Sequence, residues 1–338
     1  MRLAKLVGPR EFAFEEVPTP EPGPGQVLLQ VGYVALCGSE FAPYKGQATE
    51  FPIYKKKVAY PRALGHEGNG TVVRLGPGVT GVREGDRVIP ARAAFATHAL
   101  CRAEELTPIP PEIPLREAAI TFMAQETYFL CRHMVTARPE DRALIVGMGP
   151  FGMLCLEHLR EIGCSVITAV DLLESRLVLA QELGATHTIN AGTHDLVDAA
   201  AGLPGGKPTL IIETSGQPQP LHQVFRATAP RGRVAVAGRP YAPLDGFTIE
   251  DFFHNLLTVY GAKIPPEGYA RQYTAATLEL IRAHRIHASR LITHEFPLAQ
   301  IRDAFEMATH PEAGGLKIVV NCAEPVPGEG VDQRCLPS

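Results

Sequence analysis

The stretch DRALIVGMGPFGMLCLEHLREIGCSVITAVD, residues 141–171, decides the fold class. It opens with an apolar run typical of a buried strand, continues through a glycine-rich turn into a helical pattern, and closes with a second apolar run. A strand, a tight turn, a helix and a second strand form a right-handed βαβ unit, and such units build parallel sheets. The segment therefore predicts an α/β fold with a doubly wound parallel sheet.

The glycine-rich turn also predicts a cofactor site. Its glycines follow the spacing GxGxxG and are Gly147, Gly149 and Gly152. The first permits the tight turn, the second lets the backbone approach a pyrophosphate, and the third allows the helix to pack on the strand. Pro150 and Phe151 open the helix, whose N-terminus would face the anion. The alternative is a glycine-rich turn in an α/β domain that binds no nucleotide.

Asp171 ends the second strand, 19 residues beyond Gly152. A carboxylate at this position can accept hydrogen bonds from the adenosine ribose and would repel a 2′-phosphate, so NAD is favoured over NADP. Arg176 lies on the next helix, where it could partly accommodate a phosphate or simply face solvent.

The segments on either side differ in pattern. Up to about residue 110, short alternating runs are cut by Gly and Pro, which indicates a β-rich unit. Between 143 and about 262, strands and helices alternate, as expected for the parallel sheet. The remainder predicts a helix, a strand, a helix and a closing strand, before a Pro- and Gly-rich tail.

Composition narrows the class of protein. The chain has 338 residues, enough for two domains, and a formal net charge of −4, which offers no basic surface to nucleic acid or anionic membrane. There is no apolar stretch of about 20 residues and no signal-peptide pattern, so the expected compartment is the cytoplasm. The seven cysteines show no disulfide spacing and are expected to be reduced thiols.

A possible metal site lies in RALGHEGNG, residues 62–70, where His66 and Glu67 sit between glycines. Further motifs surround it in a fixed order: CGSEFAPYKG, REGDRV, VGMGPFG, IIETSG and GRVAVAG. Together they resemble the zinc-type alcohol and polyol dehydrogenase branch of the medium-chain dehydrogenase/reductase superfamily. The resemblance implies a GroES-like β-rich catalytic domain and a Rossmann NAD(P)-binding domain. The segments that it implies are 1–122 (catalytic, first part), 123–262 (Rossmann), 263–323 (catalytic, second part) and 324–338 (flexible tail).

The resemblance implies one catalytic Zn²⁺, held by Cys37 and His66 with Glu67 beside it. Thiolate and imidazole suit Zn²⁺, and three protein ligands leave a fourth position for substrate. The alternative is a buried thiol and a hydrogen-bonded turn histidine. A second, structural zinc is not expected, because the four closely spaced cysteines of many relatives are missing from IPARAAFATHALC.

The usual third zinc ligand is replaced. Counting back from Gly147 to the position of this ligand in the family reaches Phe122 or Met123, neither of which binds Zn²⁺. Glu126 lies one helical turn further on and could complete the metal site, act as a proton donor or acceptor beside the nicotinamide, or pair with Arg132 or solvent.

Other positions carry roles implied by the resemblance. Ser39 matches the proton-relay residue, but Ala42 stands where the relay histidine is usual; Glu40 and Tyr44 are nearby in sequence, Tyr44 more as a packing residue. The expected cofactor contacts are Lys317 to the pyrophosphate, and Ala237 and Gly238 to the nicotinamide.

The resulting hypothesis is an NAD-linked oxidoreductase that interconverts a secondary alcohol or polyol and its carbonyl, assisted by zinc. One alternative is a zinc-free reductase of an alkene, imine or carbonyl with Glu126 or Ser39 as proton donor, and another is a non-catalytic NAD(P)-binding protein. The expected partners are a small-molecule alcohol or carbonyl and, by analogy, further copies of the chain in a homodimer or homotetramer. The lysines 55–57 could attract an anionic substrate, although a solvated loop is the simpler interpretation.

Overall fold

The computed structural model describes residues 1–47, 58–239 and 248–323, so the predictions for lysines 55–57 and for the tail 324–338 lie outside the described residues. Its strands are β1 (Arg2–Gly8), β2 (Glu11–Glu16), β3 (Gln26–Ala35), β4 (Arg62–Ala63), β5 (Glu67–Leu75), β6 (Arg87–Ile89), β7 (His98–Arg102), β8 (Thr107–Pro108), β9 (Arg142–Val146), β10 (Val166–Asp171), β11 (His187–Asn190), β12 (Leu210–Glu213), β13 (Arg233–Val236), β14 (Thr258–Gly261), β15 (Ile292–Pro297) and β16 (Lys317–Asn321). Its α-helices are α1 (Phe41–Tyr44), α2 (Leu115–Ala118), α3 (Thr121–Phe129), α4 (Pro150–Ile162), α5 (Glu174–Glu182), α6 (Leu196–Ala201), α7 (Pro218–Ala227), α8 (Glu250–Phe253), α9 (Arg271–Arg282), α10 (Ala288–Leu291) and α11 (Ile301–Ala308).

The parallel sheet confirms the predicted fold class. Its strand order is β11-β10-β9-β12-β13-β14, and every pair of neighbours is parallel. The four central strands, β10, β9, β12 and β13, are buried apolar runs, as a sheet covered on both faces requires. The order reverses between β9 and β12, and ligands of such sheets bind in the crevice at the carboxyl ends of the strands at this point.

The β-rich part of the chain brings distant segments together. Its main sheet runs β15-β16-β3-β5-β6-β8, with β7 paired to β3, and a smaller sheet runs β2-β1-β4. The central strand β3 pairs antiparallel with β5, with Ala35 opposite Glu67, and with β16, with Ala35 opposite Val319. The residues that follow β3 therefore lie beside the start of β5 and the start of β16. The segment boundaries at 122/123 and 262/263 stay predictions.

Helix α3 connects the two kinds of sheet. The His158 side chain of α4 donates from Nε2 to the Ala124 carbonyl of α3, at 2.9 Å. On another face of α3, Gln125 donates to the Gly268 carbonyl at 2.9 Å and accepts from Thr274 at 2.7 Å. These buried contacts hold α3 rigidly between the parallel sheet and the segment that precedes α9. Within the described ranges, no helix has both the length and the apolar character needed to cross a bilayer.

Candidate active site

Cys37, His66 and Glu67 come together in space. One ligand atom from each side chain lies within 4.8 Å of the other two, and no other group of three His, Cys, Asp or Glu side chains in the described residues does this. The strand register explains the meeting, because Cys37 follows β3 and the His66–Glu67 pair opens β5 directly opposite. The structure thus brings together the three residues proposed as metal ligands.

Glu40 orients this cluster. Its Oε1 accepts a hydrogen bond from the Gly65 N–H at 2.6 Å and lies 3.2 Å from His66 Nδ1, and its Oε2 accepts from the Cys37 N–H at 3.3 Å. Its side chain is buried. With Nδ1 donating to Glu40, the neutral histidine leaves Nε2 as its free ligand atom. Sequence reasoning placed Glu40 near the site but did not predict this role, because Gly65 and His66 come from a distant segment of the chain.

Glu67 forms a buried ion pair with Lys317. Lys317 Nζ lies 2.5 Å from Glu67 Oε2 and donates to the Leu36 carbonyl at 2.8 Å. Both side chains are almost fully buried. The expected contact of Lys317 with a cofactor pyrophosphate therefore differs from the observed position, since the ammonium is enclosed and used by Glu67. The β16 register places Lys317 at this point, close to the end of β3.

The other oxygen of Glu67 carries the main indication of a ligand. Oε1 is buried without a hydrogen-bond partner among the described residues, and it lies 3.9 Å from His66 Nε2. A buried carboxylate oxygen without a partner costs about 1–3 kcal/mol or more. A cation between Cys37, His66 and Glu67 would satisfy it.

The donor set fits Zn²⁺. Thiolate sulfur, imidazole nitrogen and carboxylate oxygen are the ligands that this ion takes in a tetrahedron, and at normal bond lengths the donor atoms stand about 3.3–3.8 Å apart. The spacing of 3.9 Å between His66 and Glu67 needs only a small contraction.

The protonation of the cluster depends on whether a cation is bound. Burial and the nearby Glu67 carboxylate raise the pKa of Cys37. Burial alone would lower the pKa of His66, but hydrogen bonds with Cys37 and Glu40 outweigh it and raise the pKa to about 11. A proton thus stays on the Cys37–His66 pair at neutral pH. Binding of a metal ion must displace it, so metal affinity increases with pH.

Phe122, and not Met123, lies beside the cluster. Its ring meets the His66 ring edge-on, with the centroids 5.4 Å apart, and stacks on Tyr269 at 5.3 Å. Met123 is buried in the core. An aromatic wall therefore closes this side of the site.

Glu126 lies behind the aromatic wall and accepts a hydrogen bond from the Tyr269 hydroxyl at 2.5 Å. The alternative pairing with Arg132 is wrong, since the Arg132 guanidinium lies over the Tyr128 ring. Burial raises the pKa of Glu126 to about 7, and the Tyr269 hydrogen bond acts against this. The structure does not place Glu126 in the three-residue cluster. Tyr269 was not predicted because it lies 143 residues away in sequence.

Ser39 is exposed beside the cluster, and its hydroxyl donates to Cys37 Sγ at 3.3 Å. This places it where a proton relay from a bound alcohol is expected. Tyr44 is fully buried and donates to Glu306 at 2.7 Å, in agreement with its interpretation as a packing residue. Ala42 is also buried, so it supplies neither a relay group nor an opening to solvent.

The glycine-rich turn has the geometry of a dinucleotide site. Gly147 has φ +92°, and a Cβ on Gly152 would lie 2.0 Å from the Gly147 carbonyl oxygen, so both positions require glycine. A Cβ on Gly149 would meet nothing within 4 Å, which leaves open space for a ligand to approach the backbone. Pro150 is the first residue of α4, and the Phe151 side chain packs on the core below it.

Asp171 lies at the carboxyl end of β10, beside this turn. Its Oδ2 accepts from the Met148 N–H at 2.7 Å, and its Oδ1 from the Leu173 N–H at 2.9 Å. Arg176 approaches the carboxylate to 3.7 Å. Each oxygen has a second lone pair that could accept from a ribose hydroxyl. Arg176 does not simply face solvent, because its guanidinium is directed to Asp171.

Ala237 and Gly238 lie at the end of β13, across the crevice from Gly147. Both of their N–H groups donate to the Glu213 carbonyl at 2.8 Å, so a nicotinamide at this position would have to use their carbonyl oxygens. The Glu213 carboxylate is buried and accepts from the Ser215 and Gly216 N–H groups, at 2.8 and 3.2 Å. Burial raises the pKa of Glu213. Glu213 thereby fixes both loops of the crevice, a role that sequence reasoning did not assign.

Two protein families match this chain. The family model for the alcohol dehydrogenase GroES-like domain matches residues 23–111, and the model for the zinc-binding dehydrogenase matches residues 150–281. The chain belongs to the zinc-type branch of the medium-chain dehydrogenase/reductase superfamily. The predicted family, the GroES-like and Rossmann architecture and the assignment as a medium-chain alcohol dehydrogenase or reductase are confirmed.

Relatives of this medium-chain dehydrogenase match it over nearly its whole length. Sorbitol dehydrogenase of Rattus norvegicus is 28% identical, with 93% of this chain and 94% of that protein covered. The crystal structure of 2R,3R-butanediol dehydrogenase from Bacillus subtilis has a TM-score of 0.82 at 24% identity, covering 95% of this chain and 99% of that one. An alcohol dehydrogenase from E. coli CFT073 complexed with NADH also has a TM-score of 0.82, at 21% identity, with 95% and 99% covered.

Proposed function

We propose that this medium-chain dehydrogenase interconverts a secondary alcohol or polyol and its carbonyl, with NAD as hydride carrier and one Zn²⁺ on Cys37, His66 and Glu67. The observation that carries the proposal is the buried Glu67 oxygen without a partner, directed at the thiol and imidazole. The names of the relatives support the substrate class, since sorbitol and butanediol are both polyols. The NADH-bound relative and Asp171 support NAD.

The side chains of the site would bind the metal, orient its histidine ligand and transfer the proton. Cys37, His66 and Glu67 would hold Zn²⁺, which when bound supplies a Lewis acid that lowers the pKa of a substrate hydroxyl. Glu40 keeps the histidine ring in the orientation and tautomer that this requires. Ser39 receives the hydroxyl proton and passes it outward, since its side chain is exposed.

The remaining groups bind the cofactor and enclose the reacting carbon. Gly149 admits the pyrophosphate to the N-terminus of α4, and Asp171 accepts from the ribose. Phe122 and Tyr269 cover the site with apolar surface, which excludes water from the reacting carbon.

The test combines metal content with turnover. Protein purified without chelator is analysed for zinc and assayed for NAD⁺ reduction with a panel of secondary alcohols and polyols. We expect about one Zn²⁺ per chain and activity that chelation removes and Zn²⁺ restores. Cys37→Ser and His66→Ala should lose both zinc and turnover, whereas Cys101→Ser, at a buried thiol on β7, should keep both. Full activity of the metal-free enzyme contradicts the proposal.

A zinc-free reductase is the second candidate, and the Glu126–Tyr269 hydrogen bond favours it. A carboxyl group whose pKa lies near 7 beside a tyrosine is suited to proton donation. Here, carbonyl reduction by NADH would survive exhaustive chelation and would be lost in Glu126→Gln. Retention of activity in Glu126→Gln excludes Glu126 as the proton donor of such a reductase.

We also propose that the chain forms a homodimer or homotetramer. β14 is the last strand of the parallel sheet and exposes Thr258 and Val259 at its open edge. Sedimentation of the purified protein as a monomer would contradict this.

A further inference from the structure

A cavity of about 320 Å³ opens beside the proposed metal site. Its lining includes Ser39, His66 and Phe122 of the proposed active site, and also Arg62 and Arg92. The volume is that of a small-molecule pocket. A substrate whose hydroxyl lies at Ser39 and His66 therefore shares its cavity with two arginine residues.

The two arginines come from separate segments. Arg62 lies in β4, where it pairs with Leu6 of β1, and Arg92 lies three residues after the end of β6. Both are exposed, and neither guanidinium has a hydrogen bond or ion pair with the described part of the chain. In contrast, other exposed arginines of this protein form ion pairs with carboxylates, among them Arg10, Arg74 and Arg285.

One carboxylate also lines the cavity, but it is directed inward. Glu40 is only 4% exposed, and its oxygens are used by Gly65, His66 and Cys37. No other acidic residue of the described chain lines the cavity. Among the described residues, the lining thus offers two positive charges without a free counter-charge, in a concave site that strengthens their field.

We infer that the alcohol substrate carries an anionic group, a phosphate monoester or a carboxylate, that binds Arg62 and Arg92. The inference rests on the proposed function and specifies its substrate class. Planar guanidinium groups bind both anions through paired N–H donors. The hydroxyl to be oxidised and the anionic group then occupy the same cavity.

The experiment compares matched substrates. A short polyol, its terminal phosphate ester and the hydroxy acid of the same chain length are assayed with NAD⁺ and the zinc-loaded enzyme. We expect kcat/KM for one of the two anions to exceed that of the neutral polyol by about tenfold or more. Arg62→Gln and Arg92→Gln should each lower this ratio by about tenfold. The anionic substrate that loses its advantage over the neutral polyol in these variants shows whether the bound group is a phosphate or a carboxylate. Arg83→Gln, at an exposed arginine outside the cavity, should leave the ratio unchanged.

A neutral polyol that matches or exceeds both anions, with a ratio that neither arginine variant changes, overturns the inference while the proposed function stands. If no alcohol is oxidised at all, the proposed function fails, and calorimetric titration with inorganic phosphate tests the cavity by itself. Binding that weakens by about tenfold or more in the Arg62→Gln/Arg92→Gln variant supports the anion site. Equal binding, or none, in both proteins overturns it.

Discussion

Glu67 and Lys317 form an ion pair that is closed to water, with Nζ 2.5 Å from Oε2 and side chains that are 0% and 2% exposed. The pair joins the start of β5 to the start of β16, across 250 residues of sequence. It also fixes which Glu67 oxygen remains for the cluster with Cys37 and His66. The same contact therefore contributes both to the stability of the fold and to the geometry of the site.

Removal of the lysine should destabilise the fold strongly. Lys317→Met leaves the buried Glu67 charge without its partner, and we expect the free energy of unfolding to fall by about 3–5 kcal/mol. Urea denaturation of the metal-free protein measures this. Lys263→Met, at an exposed lysine, should change it by less than about 0.5 kcal/mol. The double variant Glu67→Gln/Lys317→Met should be more stable than Lys317→Met alone; if it is less stable, the pair is not the cause.

Restoring a ligand at position 122 should tighten the metal site. Phe122 contacts the His66 ring, so Phe122→Cys places a thiolate beside the three proposed ligands. We expect zinc affinity, measured by competition with a chelator, to rise by about tenfold or more. Met123→Cys is the matched control, because that side chain is buried in the core and should leave zinc affinity unchanged. A gain at 123 but not at 122 would mean that the helix faces the site differently.

Much of the fold followed from local patterns in the sequence. The strand, helix and second strand predicted within residues 141–171 are β9, α4 and β10, because apolar periodicity and the glycine turn mark them. In contrast, β11 and α6 were not predicted. Each is short, at four and six residues. β11 is also mostly polar, and it is a strand because it pairs with β10 at the sheet edge.

The site was predictable only in part, for a physical reason. Cys37 and His66 belong to short motifs that are visible in the chain, whereas the partners of Glu67 and Glu126 depend on tertiary pairing. Lys317 reaches Glu67 through the β16 register, and Tyr269 reaches Glu126 from the segment before α9. No local pattern could supply either contact. The two cavity arginines likewise line one cavity only after β4 and β6 have taken their places.

The stability of the protein should depend on pH through His158. Burial lowers its pKa to about 4, against 6.5 for an ordinary histidine, and its Nδ1 has no partner in the described residues. The unfolded chain therefore binds a proton that the folded protein does not, and stability is lost as pH falls from about 6.5 toward 4. His158→Gln should reduce this loss by about 2–3 kcal/mol. Urea denaturation at pH 7 and pH 4 measures it, and parallel losses in both proteins contradict it.

Cofactor preference should change when the carboxylate beside Arg176 is removed. Asp171 would repel the 2′-phosphate of NADP and also holds Arg176, whose guanidinium is 3.7 Å away. Asp171→Ser removes the repulsion and releases the arginine to bind that phosphate, so the ratio of kcat/KM for NADP to that for NAD should rise by about tenfold to a hundredfold. The double variant Asp171→Ser/Arg176→Ala separates the two causes, because it keeps the relief of repulsion but loses the cation. If the double variant prefers NADP as strongly as Asp171→Ser, Arg176 has no part in the change, and repulsion by Asp171 alone sets the preference.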